Sequence, residues 1–446
     1  MNQKLLFTMF FLFCYEKAVS QIFLQGTTDK SITITPRGIT SPNPSPPSSS
    51  TLVFGSGISV THRQDNTLVG TEAAGVGGDF INSVAVGYRS RYNSDSIGGG
   101  SMSGSVAVGS QSMLNFHSSD NVAIGFEALR GSNTVSNNTG RFNVAVGYSA
   151  LRAATSGSNN TALGAFSLLS NTTGEGNLGI GGSALISNTG GHNNVAIGAS
   201  ALRSNTTGEN NVAVGKNALY SNIAGRDNTA LGFEAMLSTN SAYNVAVGIQ
   251  ALRGSSTVAD NTGGSNTAIG DFTLQNNATG SSNVAIGASA LLSNTTGNSN
   301  MAVGESAMLF NTTGIGNIAV GNAALVFNKA NNGSTAIGSN AMFFADDRAT
   351  SGRYTFNTAV GFEALRGSAS TGNNTGRYNT AAGTQALRVV SSGNYNTAVG
   401  ALAGSNMNTG SHNTAVGYDA EVPSGTTDNQ VRIGNTAVTF ACVQVA

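Results

Sequence analysis

The 446-residue chain has no tryptophan, two cysteines, six prolines and few charges: Asp, Glu, Lys and Arg together make up 9% of it. Each scarcity excludes something. Lys+Arg and Asp+Glu both number 21, so there is no surplus of charge to hold nucleic acid or an anionic membrane. The cysteines, Cys14 and Cys442, stand near opposite ends. Because Cys14 falls in a leader described below, the mature chain is expected to carry one thiol and no internal disulfide. Hydrophobic residues are only 39%, too few for a thick core of large side chains. A thin core of Ala, Val, Ile and Leu remains open, and stability must then come from packing and backbone ladders.

What the chain has in excess is glycine, 59 residues, roughly twice the usual share of about 7%. Most of them punctuate a repeated phrase. Residues 194–210 read N-V-A-I-G-A-S-A-L-R-S-N-T-T-G-E-N, and the phrase restarts at once as N-V-A-V-G-K-N-A-L. The glycine closing each N-x-A-V-G falls at 70, 87, 109, 125, 147, 164, 181, 198, 215, 232, 248, 270, 287, 304, 321, 338, 361, 383, 400, 417 and 434. Thirteen of the 20 intervals are 17 residues, two are 16, four are 22 and one is 23. A short fixed period with insertions at single sites is the mark of a solenoid.

Taken in order, Lys4, the apolar run 5–15 and Ala18-Val19-Ser20 before Gln21 describe a secretory signal peptide over 1–20. The run is too short for a transmembrane helix. Residues 21–50 hold a short alternating stretch, Ser31-Ile32-Thr33-Ile34-Thr35, and then five of the six prolines, at 36, 42, 44, 46 and 47. Proline removes ladder donors and fixes φ, so this segment reads as an extended linker. The repeats occupy 51–436, and 437–446 form a tail.

Counted from the marker glycine, residue −1 is Val, Ile or Leu in 20 of 21 copies and residue −2 is Ala in 18. Residue −4 is Asn in 17 copies, and residue +4 is Leu or Met in 16. Successive strand residues point to opposite faces, and a strand apolar on both faces is buried on both. The larger residue is expected to line the coil: Val146, Leu163, Ile180, Ile197, Val214, Leu231 and Val247. The alanines Ala145, Ala162, Ala196, Ala213 and Ala230 are expected to face outward against another copy. On that assignment Ile197→Asp would destroy the coil, and a large residue at 196 would break the oligomer first.

Each coil is expected to hold two short strands, N-x-A-V-G and x-x-A-L, joined by S-N-T-T-G turns in which Gly and Asn accept positive φ. The turns would expose Thr172, Thr173, Thr206, Thr207, Thr295 and Thr296, and the insertions would bulge there. Stacked Asn residues either form amide ladders along the axis or merely suit turns. The expected fold is therefore all-β, a parallel β-solenoid of about 21 coils. At about 4.8 Å per rung, 20 steps make a rod roughly 100 Å long.

The N-[ST]-A-[VI]-G-x-x-A phrase resembles the head repeats of trimeric autotransporter adhesins, the YadA-like or Hep/Hag repeat family, over about 66–436. The resemblance implies a left-handed parallel β-roll, three chains packed into a homotrimeric rod, and attachment to host or environmental surfaces, matrix proteins or glycans. Two departures stand out: those heads repeat about every 14 residues, and neither a coiled-coil stalk nor a membrane barrel is present. The closing D-N-Q-V-R-I-G-N-T-A-V-T resembles the segment before an intramolecular chaperone domain in tail-fibre-type surface proteins. The implied function is that of a secreted, extracellular or outer-surface adhesin or structural fibre. The alternatives are a phage-tail-like fibre with glycan-binding activity and an ice- or crystal-surface binder using the Thr pairs.

Enzymatic chemistry finds little support. Gly174, Gly176 and Gly179 spell G-x-G-x-x-G inside a repeat, without the helix a dinucleotide loop needs. His62, His117, His192 and His412 share no ligand spacing. Glu127, Glu234 and Glu363 each follow Phe and read as solvated groups. Asn-x-Thr sequons such as Asn171-Thr172-Thr173 follow from the turn consensus, and Asp95-Ser96-Ile97 matches a short O-glycosylation pattern once. No catalytic, cofactor or metal residue is assigned. The expected partner is the chain itself together with an external surface, with no nucleic acid and no small-molecule substrate.

Overall fold

The computed structural model describes residues 23–26, 32–35, 52–55, 62–64, 66–74, 79–92, 102–116, 118–255, 257–344, 352–369 and 371–438. The expected leader, most of the linker, the Asp95-Ser96-Ile97 triplet and the tail past 438 lie outside these residues. Phe23–Gly26 and Ile32–Thr35 pair antiparallel. The chain divides into two units, Met1–Thr173 and Gly174–Ala446. Each is an all-β parallel solenoid.

In the first unit the ladder runs through Leu52–Phe54, Thr67–Val69, Val84–Val86, Val106–Val108, Val122–Ile124, Val144–Val146 and Thr161–Leu163. A second parallel sheet joins His62–Gln64, Asp79–Ile81 and Met102–Ser103. In the second unit fifteen three-residue strands, from Leu178–Ile180 to Val431–Ile433, stack parallel and in register. Val195, Ala196 and Ile197, for example, lie opposite Val212, Ala213 and Val214.

The marker glycine ends each strand. Gly198 has φ +131°, and a Cβ there would lie 2.6 Å from the carbonyl oxygen of Gly215. Conformation and close approach both demand glycine. Among the described residues the second strand expected at x-x-A-L is absent, because that segment forms a turn, with Ser200 at φ 58° and Leu202 at φ 50°. The turn is still a ladder: Ser200 N–H donates to Gly182 O at 2.9 Å, and Leu202 N–H donates to Ala218 O at 2.9 Å. A left-handed Leu costs about 1–2 kcal/mol. Full burial of its side chain, about 1.5–3 kcal/mol, offsets that.

The interior corrects the inside–outside assignment. Ala145, Ala162, Ala196, Ala213 and Ala230 are all 0% exposed within the single chain. They point into the coil with the alanine at +3 and the Leu or Met at +4, as in Ala201 and Leu202. Val146, Ile180, Ile197 and Val214 are half-buried and Leu163, Leu231 and Val247 exposed, so none of the seven lines the interior. The physical reason is width. The left-handed turn buries Leu202 completely, and the interior then holds a methyl group at −2; where +4 is Ala74, the −2 residue is the larger Leu68, equally buried.

Two asparagines per coil complete the core, and they form ladders. Asn211 Nδ2 donates to Asn194 Oδ1 at 3.1 Å and to Gly225 O at 2.9 Å, and Asn211 N–H donates to the same Oδ1 at 3.0 Å. In the turn, Asn222 Nδ2 donates to Asn205 Oδ1 at 2.9 Å and to Gly225 O at 3.0 Å. Three of the five insertions bulge from the turn as expected, each with a 3-10 turn, at Val135–Asn137, Val258–Asp260 and Thr371–Asn373; the other two lie partly outside the described residues. One asparagine staples each bulge to the coil. Asn261 Nδ2, for instance, donates to Ser238 O at 3.0 Å and Ser255 O at 2.9 Å.

Candidate functional site

Since −2 and −4 point inward, −3 and −1 point outward, and register stacks them into two columns on the sheet's outer face. In the second unit the −1 column is aliphatic through Ile180, Ile197, Val214, Leu231, Val247, Ile269, Ile286, Val303, Val320 and Ile337. The −3 column runs Leu178, Val195, Val212, Thr229, Val245, Thr267, Val284, Met301 and Ile318, then Thr335, Thr358, Thr380, Thr397 and Thr414. Side chains such as Ile286 and Ile318 are each 38% exposed. With about 4.8 Å between strands and about 3.3 Å per residue, fifteen such strands offer a face of roughly 700 Å². Soluble monomers rarely expose contiguous apolar patches above a few hundred Å². A strand period read from sequence could have located this face. Two adjacent apolar positions hid which of them it was.

A second feature was missed. Position −5, the left-handed corner before each strand, carries Phe356, Tyr378, Tyr395 and His412 in consecutive coils. Their rings stack in a column headed by Tyr354. The signal was present in the constant phase of these four residues against the marker glycine.

The turn threonines divide in two. Thr206 Oγ1 donates to Ile223 O at 3.1 Å and Thr295 Oγ1 to Thr312 O at 3.0 Å, so these hydroxyls bind the next coil. Thr172 is likewise half-buried, whereas Thr173, Thr207 and Thr296 are exposed. The sequon asparagines Asn171, Asn205, Asn294 and Asn311 are 0% exposed, which removes them as sites for an attached sugar on the folded chain.

Gly179 lies in the strand Leu178–Ile180, so the G-x-G-x-x-G stretch is one more rung and opens no helix. His192 Nδ1 accepts from Glu175 N–H at 3.1 Å, and His412 stacks on Tyr395. The three glutamates are not free solvated groups. Glu127 pairs with Arg152 at 2.6 Å, Glu234 with Arg253 at 3.3 Å and Glu363 with Arg388 at 3.0 Å. Among the described residues no group of three His, Cys, Asp or Glu could hold a metal. In the same set, no helix is long and apolar enough to cross a membrane. A cavity of about 40 Å³ lies beside Asn328, Ser334, Thr355, Asn357 and Asn374. Asn328 Oδ1 has no protein partner there, where the turn ladder ends. The space suits one or two waters, not a sugar. No family model matches the chain, and no curated protein is significantly similar to it.

Proposed function

We propose that this protein is a secreted, cell-surface fibrous protein, an adhesin or structural fibre, that self-associates as a homotrimer. The observation that carries this reading is the sheet's outer face, aliphatic along the −1 column and a mix of aliphatic and threonine along −3. Its occupant in the proposal is the same face of another copy. Only partners with the same repeat of about 4.8 Å meet every rung in phase, and three such faces turned to a common axis would cover about 2,100 Å², the size of a permanent interface. The chain's charge balance leaves hydrophobic burial as the main driving force. With that face covered, the turns and bulges remain outside as a repeated array. Many weak contacts to matrix or glycan would then add by avidity.

The test is association. Residues 51–440 should sediment as an oligomer, and Ile197→Asp combined with Val214→Asp should give a folded monomer. A wild-type chain that stays monomeric at micromolar concentration would sink the reading.

A second reading has one observation in its favour. Thr335, Thr358, Thr380, Thr397 and Thr414 stand in register on a flat strand face, which suits an ice- or crystal-surface binder better than threonines in turns do. Thermal hysteresis or crystal-growth arrest by the wild type, lost in Thr380→Lys, would favour it.

A further inference from the structure

The aromatic column at the corner of the second unit places two tyrosines face to face. From Tyr354 through Phe356, Tyr378 and Tyr395 to His412, successive ring centroids lie 5.3, 5.6, 4.8 and 4.9 Å apart. The spacing follows from the fold. Each ring after the first leaves the backbone at the same left-handed corner, with φ 47°, 58°, 55° and 58°, so the strand separation becomes the ring separation. Tyr378 and Tyr395 are the most nearly parallel pair, with planes 4° apart. They are 40% and 51% exposed, so solvent-borne reagents reach both.

We propose that Tyr378 and Tyr395 form an oxidative cross-linking site that joins neighbouring coils through a dityrosine bond. The oxidant is a one-electron acceptor of the haem-peroxidase class working with hydrogen peroxide. It takes one electron from each phenol, and each phenolic proton goes to water, leaving two phenoxyl radicals. The radicals combine at ring carbons ortho to oxygen, forming one carbon–carbon bond. The two ortho hydrogens then shift to the oxygens and restore both phenols. The pair has lost two electrons and two protons in all, which reduce one peroxide to two waters.

Three features of the chain direct this chemistry to one place. Phenoxyl radicals on separate corners must await a chance encounter, whereas this pair is held in contact, as in an intramolecular reaction. Phe356 lies between Tyr354 and Tyr378, and a phenyl ring has no hydroxyl to oxidise, so Tyr354 has no tyrosine beside it. The chain has no tryptophan to compete as a sink, and Met342 and Met407 are buried nearby.

The experiment uses the full chain at low concentration with horseradish-type peroxidase and peroxide. Dityrosine fluorescence and peptide mass mapping are the readouts. The wild type should yield one linked pair of peptides holding residues 378 and 395, lighter than their sum by two hydrogen atoms. Tyr378→Phe and Tyr395→Phe should each lose that product while folding normally, because phenylalanine occupies the same corner at Phe142 and Phe356. Tyr354→Phe should keep it. Fluorescence that survives in Tyr378→Phe, or product found only between chains at doubled mass, would overturn the assignment.

Discussion

Alanine 196 was expected to face a partner and instead points into the coil, and its position shows what sequence can and cannot disclose at the level of one residue. The repeat phase identified every marker glycine and the asparagines at −4, and left open whether they form ladders. It could not say which of two adjacent apolar residues turned inward, because that depends on the space left by Leu202 across the coil. With 0% exposure and neighbours Ala213 and Leu202 equally buried, Ala196→Leu should overpack the interior. It should cost about 1–3 kcal/mol, read as a lower urea midpoint at unchanged oligomeric state. The amide ladder supports a companion test. Asn211→Ala removes the oxygen that accepts from Asn228 N–H at 3.1 Å, while Asn194 Oδ1 keeps the backbone N–H of residue 211, so it should cost about 1–3 kcal/mol in the same assay. Thr207→Ser, on the exposed side of the turn, should leave the midpoint unchanged.

A single coil is one three-residue strand, a glycine bend, a left-handed ladder of turns and an asparagine-lined return. The strand was legible in the β-branched N-x-A-V-G phrase, and the bulges were legible as departures from the 17-residue interval. At x-x-A-L the described residues hold no second strand. They make ladder bonds with positive φ there, and a Leu that accepts φ near +50° carries no warning in its own identity. The correction reverses the expectation for one substitution. Ile197→Asp places a charge on the outer face, where water reaches it, and not inside the coil. The far-ultraviolet spectrum and melting temperature of the separated chain should change little, while sedimentation should show lost association. If the variant unfolds as a monomer, the outward placement of the −1 column is wrong. The aromatic corner belongs to the same scale: the position that Asn193 and Asn210 fill in other coils holds rings in four consecutive ones, and only stacking gave those rings a meaning.

In each unit the coils contact chiefly their neighbours, so stability behaves as a sum of like terms along a line. Removing residues 199–215, one whole coil, joins Gly198 to Lys216 in phase and should leave a folded chain with slightly reduced stability. Removing about half that length leaves one coil too short to close, which should break both Asn ladders at that rung and lower the melting temperature more. Differential scanning calorimetry of the two deletions separates these outcomes, and equal melting of both would contradict in-register stacking. The glycine contact has one more consequence. Since Gly198 meets Gly215 as Gly215 meets Gly232, the contact between coils carries no mark of its place in the series. Copying errors that gain or drop an entire repeat of the gene would therefore yield a protein that still folds, and lineages could vary its reach without inventing a new part.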